Sequence, residues 1–108
     1  MNDANTSKPR KSNKAVVMPK TIKQLETVGE QIRLARLRRK YSVNMVAERA
    51  GISRATLWKV EKGDPGVAIG IYAKVLAAIG LANDITLLAR DDDLGRVIQD
   101  AELLSKRK

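Results

Sequence analysis

The sequence predicts a mainly α domain of four to five helices, and three observations carry that expectation. Aromatic residues are scarce, with Trp58, Tyr41, Tyr72 and no Phe, so a core drawn from 44% hydrophobic residues must consist of Ala, Leu, Ile and Val. That palette favours helix over sheet. Apolar residues also recur at spacings of three and four along successive segments, as on helices with one face against a core. Ser, Gly and Pro stand between those segments, where helices begin and end. A chain of 108 residues has room for one small domain and little else.

Taken in order, residues 1–20 combine Ser, Thr, Asn, Pro and Lys with almost no hydrophobic spacing, and read as a disordered basic arm. Such an arm either solubilises the chain or seeks phosphate. The domain proper is expected over residues 21–81. From Lys23 the pattern turns helical, with Leu25, Val28, Ile32, Ala35 and Leu37 as its apolar stripe. Arg33, Arg36, Arg38, Arg39 and Lys40 load the end of this helix with cations, which suits its negative dipole end. Ser42 reads as the N-cap of a second helix over 43–50, and Ser53 as the N-cap of a third over 54–62. Gly63-Asp64-Pro65-Gly66 is the clearest turn. A fourth helix is expected over about 68–79, with Ile71, Val75, Leu76 and Ile79 at helical spacing and Gly80 just past its end. Ile85-Thr86-Leu87-Leu88-Ala89 suits either a helical turn or a short strand. Residues 82–108 read as a C-terminal extension in which Asp91-Asp92-Asp93 opens a last helix over about 94–105. Its Leu94, Val97, Ile98, Ala101 and Leu104 form an amphipathic stripe that packs on its own domain or meets a partner.

Charge is the loudest feature of the composition: 21 Lys and Arg against 12 Asp and Glu, a net +9 with no His. Residues 1–24 carry +5, residues 25–90 another +5, and residues 91–108 carry −1. A surplus of this size draws nucleic acid, acidic proteins and anionic membranes alike. The absence of Cys excludes disulfides and thiolate metal sites. The absence of His excludes Ser-His triads, imidazole ligands and histidine acid–base chemistry. The Asp91-Asp92-Asp93 run reads as a solvated helix start rather than a metal site, and neither a cofactor nor enzymatic activity is expected. No apolar run approaches the roughly 18 residues of a membrane span, and the first residues have no apolar secretory core. The expectation is a cytoplasmic, nucleoid-associated binding module.

The informative stretch is 43–62, VNMVAERAGISRATLWKVEK. Two short helices joined at Ala50-Gly51-Ile52 must pack at a steep angle. Ala47 is small where they approach, and Gly51 permits the positive φ of a tight turn. Val46, Ile52, Leu57 and Val60 supply the apolar contacts. Ala47, Gly51 four later, Leu57 six later and Val60 three later reproduce the spacing of a helix-turn-helix. On this reading the third helix enters the major groove of DNA N-terminus first. Arg54 is placed to read guanine, a contact worth roughly 1–3 kcal/mol of discrimination, and Ala55 to touch a thymine methyl. Lys59 reaches a base or a phosphate. Trp58, one turn past Arg54, either faces the groove or covers the core edge. Ser53, Thr56 and Lys62 suit phosphate oxygens, while Arg38, Arg39 and Lys40 add salt-dependent affinity without sequence choice.

Over about residues 25–81 the chain resembles the Cro/C1-type (XRE) helix-turn-helix family, through the run VGEQIRLARLRRKYSVNMVAERAGISRATLWKVEKG. The run ISRATLWKVEKGDPGVAIGIYAKVLAAIGL, with Leu94-Gly95-Arg96, is similar to HipB-type proteins, small repressor-antitoxins encoded beside HipA-type kinase toxins. The resemblance implies a homodimer on a palindromic operator in double-stranded DNA, with recognition helices about 34 Å apart. It implies a buried Arg–carboxylate pair at Arg36 and Glu61. It also implies a strand at Ile85, Thr86, Leu87, Leu88 and Ala89 that pairs across the dimer. Two departures matter. Val43 stands where the family often has a phosphate-touching Gln, and Lys40 where many members have Gly, which predicts a mildly strained left-handed backbone there.

The leading expectation is a DNA-binding autorepressor that serves as the antitoxin of a HipA-type kinase module. The alternatives are a partner that chiefly occludes the toxin, and a stand-alone phage-type repressor.

Overall fold

The computed structural model describes residues 16–90 and 93–106. Most of the basic arm, and the Asp91-Asp92 start of the last helix, lie outside the described residues. Five α-helices and one 3-10 helix follow in order: α1 (Pro19–Arg38), α2 (Val43–Ala50), α3 (Arg54–Glu61), α4 (Ile69–Ala78), the 3-10 helix (Ala82–Leu87) and α5 (Asp93–Lys106). No strand occurs among the described residues.

Helix α1 begins before its apolar stripe does. Pro19 occupies its first turn, where a preset φ helps and the missing N–H costs nothing. The stripe itself holds only in the middle. Ile32 and Ala35 are buried, but Val28 is 40% and Leu37 44% exposed. Ala35 and Leu37 are two residues apart, about 200° around a helix, and cannot share a face. The residue that completes the buried face is Arg36.

Ser42 Oγ accepts from the Met45 N–H and Ser53 Oγ from the Thr56 N–H, both at 3.0 Å, so α2 and α3 carry the expected caps. At the other end, α2 closes through Gly51 (φ 70) with the Ile52 N–H donating to the Ala47 carbonyl at 3.0 Å. The same return closes three more helices. Tyr41 N–H reaches Arg36 O at 3.1 Å, Asp64 N–H reaches Lys59 O at 3.0 Å, and Leu81 N–H reaches Leu76 O at 2.7 Å. Each is the six-to-one bond of a helix ending on a left-handed residue. Glycine takes that position in three cases; Lys40, at φ 59, takes it after α1, as its replacement of Gly predicts.

The core consists of Ile32 and Ala35 from α1, Val46, Ala47 and Ala50 from α2, Leu57 and Val60 from α3, and Val75 and Ile79 from α4. Helix α1 lies on α3, α2 on both α3 and α4, and the 3-10 helix on α4. The α1–α3 approach is backbone to backbone. A Cβ added at Gly29 would sit 2.5 Å from Gly63 N and 2.7 Å from Glu61 O, and one added at Gly63 would overlap the Leu25 carbonyl.

The expected strand is corrected. Ile85, Thr86 and Leu87 belong to the 3-10 helix, and Leu88 and Ala89 to the turn after it. Thr86 Oγ1 donates to Asn83 O at 2.7 Å and the Leu88 N–H donates to Ile85 O at 3.3 Å. These local bonds satisfy groups that a lone strand in a single chain would leave unpaired.

Candidate nucleic-acid interface

Helix α3 is oriented by what it buries. Leu57 and Val60 are fully enclosed, which turns the opposite face outward. Ala55, Trp58, Lys59 and Lys62 are all exposed, and their positions i, i+3, i+4 and i+7 make them one continuous stripe. Arg54, also exposed, flanks that stripe one turn before Trp58. Trp58 is 62% exposed, so it belongs to the outer face and not to the core edge. The Lys62 ammonium lies 5.4 Å from the centre of its ring, a cation–π spacing. Ser53 and Thr56 sit at the helix start with a narrower role than the spacing suggests. The Ser53 oxygen is taken by the cap, and its proton goes to Thr56 Oγ1 at 2.9 Å.

A buried ion pair fixes the angle of this helix. Arg36 Nε donates to Glu61 Oε2 at 2.6 Å and Arg36 Nη2 to Glu61 Oε1 at 3.1 Å, while Arg36 Nη1 donates to the Tyr41 carbonyl at 3.1 Å. Glu61 is the last residue of α3 and Tyr41 precedes α2. One guanidinium thus joins α1, the α1–α2 connection and the end of α3. The Glu61 hydrogen bond, with its charge, holds Arg36 above its usual pKa against the opposing effect of burial. A two-point Arg–carboxylate pair sets orientation as well as distance.

The turn after α3 is clamped in a second way. Tyr72 Oη donates to the Asp64 carbonyl at 2.9 Å, and Asp64 Oδ1 accepts from the Gly66 N–H at 2.7 Å. Burial, aided by the Asp64 charge, pushes the Tyr72 hydroxyl up to about 12.

The remaining cations flank the site unevenly. Arg38 and Lys40 are exposed, whereas Arg39 is half-buried and its Nη1 donates to Ala35 O at 2.9 Å. Val43 packs against the core, an apolar contact where the resemblance would place an amide. Two features escape the sequence reading. The Arg49 guanidinium lies 4.8 Å from the Tyr41 ring centre, a pairing between the residue ahead of the α2 cap and the last turn of α2 that has no spacing signature. The Lys62–Trp58 contact did have a signature that went unused, because residues four apart on a helix are neighbours.

Among the described residues no group of three or more His, Cys, Asp or Glu is placed to hold a metal ion, and no helix is long and apolar enough to cross a membrane. A family model described as a helix-turn-helix domain matches residues 27–88, more than half of the chain. No curated protein matches it. Two short helices capped by Ser42 and Ser53, turned at Gly51 and pinned by Arg36, lie wholly within that match. The chain belongs to this XRE-like helix-turn-helix family of DNA-binding regulators.

Proposed function

We propose that this chain is a sequence-specific repressor of its own transcription and the antitoxin of a HipA-type kinase toxin. The DNA half is carried by one observation: the outward stripe of α3, Ala55, Trp58, Lys59 and Lys62 with Arg54 beside it, on a helix whose angle is fixed by Arg36 and Glu61. An apolar strip edged by cations suits a major groove about 12 Å wide, whose floor carries thymine methyls and guanine acceptors. Arg54 pairs with guanine, Ala55 and Trp58 meet apolar base edges, and Lys59 reaches a base edge. Thr56, Lys62, Arg38, Arg39 and Lys40 hold the backbone, which positions without specifying, and Ser53 joins them by turning its hydroxyl proton from Thr56 to a phosphate. Two copies on a palindrome set their α3 helices about 34 Å apart. The toxin half is supported by the similarity of residues 52–81 to HipB-type proteins.

Binding to a labelled fragment of the chain's own promoter, followed by anisotropy across a salt series, tests the DNA half. Arg54→Ala is expected to weaken binding roughly 5- to 150-fold and relax preference at one base position. Arg38→Ala is expected to weaken all sequences alike and reduce the salt slope by about 0.9. Equal affinity of the unaltered chain for unrelated DNA overturns sequence-specific repression. For the toxin half, a kinase-like product of the adjacent reading frame is expected to co-purify with the chain, and its failure to associate overturns the antitoxin reading.

A further inference from the structure

The chain carries two apolar surfaces that do not meet. The first is a groove of about 400 Å³ on the side of the domain formed by α1, α4 and the 3-10 helix, walled by Val28, Ile69, Leu76, Ile85, Leu87 and Leu88. Ile69 is 62%, Leu87 54% and Leu88 57% exposed, so the groove is open. The second is the apolar stripe of α5. Val97, Ile98 and Leu104 are 62%, 58% and 62% exposed, and every residue from 97 to 105 is exposed. Helix α5 packs closely on none of α1 to α4. Ala89, at φ 62, turns the backbone just past the Leu87–Leu88 wall.

We infer that each surface is the partner of the other across two copies of this chain: α5 of one copy lies in the groove of the second, reciprocally. Three arguments favour a second copy over other occupants. A foreign partner would cover one surface and leave the other wet, whereas a copy of the same chain covers both. One operation, a two-fold axis, makes both contacts and closes the assembly with no edge left for further addition. Size agrees as well. A helix of 14 residues is about 21 Å long, a small contact taken alone. Doubling it by exchange approaches the roughly 800 Å² per partner of a stable interface. This inference concerns the homodimer in the functional reading and is independent of what α3 contacts.

Sedimentation equilibrium on the full chain tests it. The unaltered chain is expected at about twice its 11.9 kDa mass. Ile98→Asp on the helix and Ile69→Asp on the groove rim each put a charge on a position already exposed in the single chain, so both variants are expected to keep their helical circular dichroism and sediment as monomers. Mixed in equal amounts, the two variants are expected to associate more strongly than either alone, since one intact helix still faces one intact groove. A monomeric unaltered chain, a dimer that survives either substitution, or a mixture that associates no more than either variant alone overturns the exchange. A monomer that still binds an operator half-site overturns the exchange alone; a dimer that ignores DNA overturns the repressor reading alone.

Discussion

Arg36 is only 8% exposed, so its charge needs an opposite one at hydrogen-bond distance, and it meets Glu61 through both guanidinium nitrogens that face it. Removing one member is therefore worse than removing both. Glu61→Ala is expected to cost about 3–5 kcal/mol in urea unfolding, because Arg36 stays buried without its counter-charge, whereas Arg36→Met with Glu61→Leu is expected to cost less than either single change. Tyr72 makes a separate prediction in pH. Its folded-state value of about 12 lies above the ordinary 10, so its hydroxyl favours the fold below about pH 10, and that contribution disappears as pH rises from about 10 to about 12. Tyr72→Phe is expected to lose about 0.5–1.5 kcal/mol at neutral pH and to show a shallower alkaline decline, measured as unfolding midpoints against pH. The residues legible beforehand were those whose reasons are local. Ser42 and Ser53 cap the helices they precede, whereas the left-handed Lys40 was expected from the family resemblance. The Arg36–Glu61 pair spans 25 residues, and only the family resemblance disclosed it.

Helices α2, α3 and α4 fell within a residue or so of their expected bounds, since caps and glycines mark them in the sequence itself. The segment at 85–89 did not, because a strand is defined by its neighbour and the sequence cannot say whether one is there. Leu37 misled for a related reason: hydrophobicity alone placed it on a face that the helix geometry denies it. Gly29 is the element-scale feature with no local signal at all, since its reason lies on the far end of α3. Two glycine substitutions separate contact from propensity. Gly70, in the first turn of α4, has nothing within 4 Å of an added Cβ, and Gly70→Ala is expected to stabilise by about 0.4–1 kcal/mol. Gly29→Ala carries the same helix-forming gain but drives its methyl into the Gly63 and Glu61 backbone, and is expected to destabilise by about 1–3 kcal/mol net. Opposite shifts in melting temperature check both; equal shifts would mean that α1 can slide off α3 without cost.

Across the whole molecule, the charge excess divides between the arm and the helical domain, and the domain places part of its share around the outward face of α3. Most of that face was readable, because burial of Leu57 and Val60 fixes what lies opposite them, while Trp58 stayed open between groove and core edge until the fold placed it. The groove was not, because α1 lies far from α4 and the 3-10 helix in the chain and joins them in one wall only after folding. The position of the single tryptophan has one more result, in how the protein can be observed. Trp58 already faces solvent in the fold, so unfolding the chain hardly changes the indole's surroundings, and urea is expected to shift its emission little while helical circular dichroism collapses. Operator DNA is expected to do the opposite, quenching the emission while leaving the dichroism in place. The chain thus carries an intrinsic fluorophore that is nearly blind to its own folding and sensitive to what occupies α3.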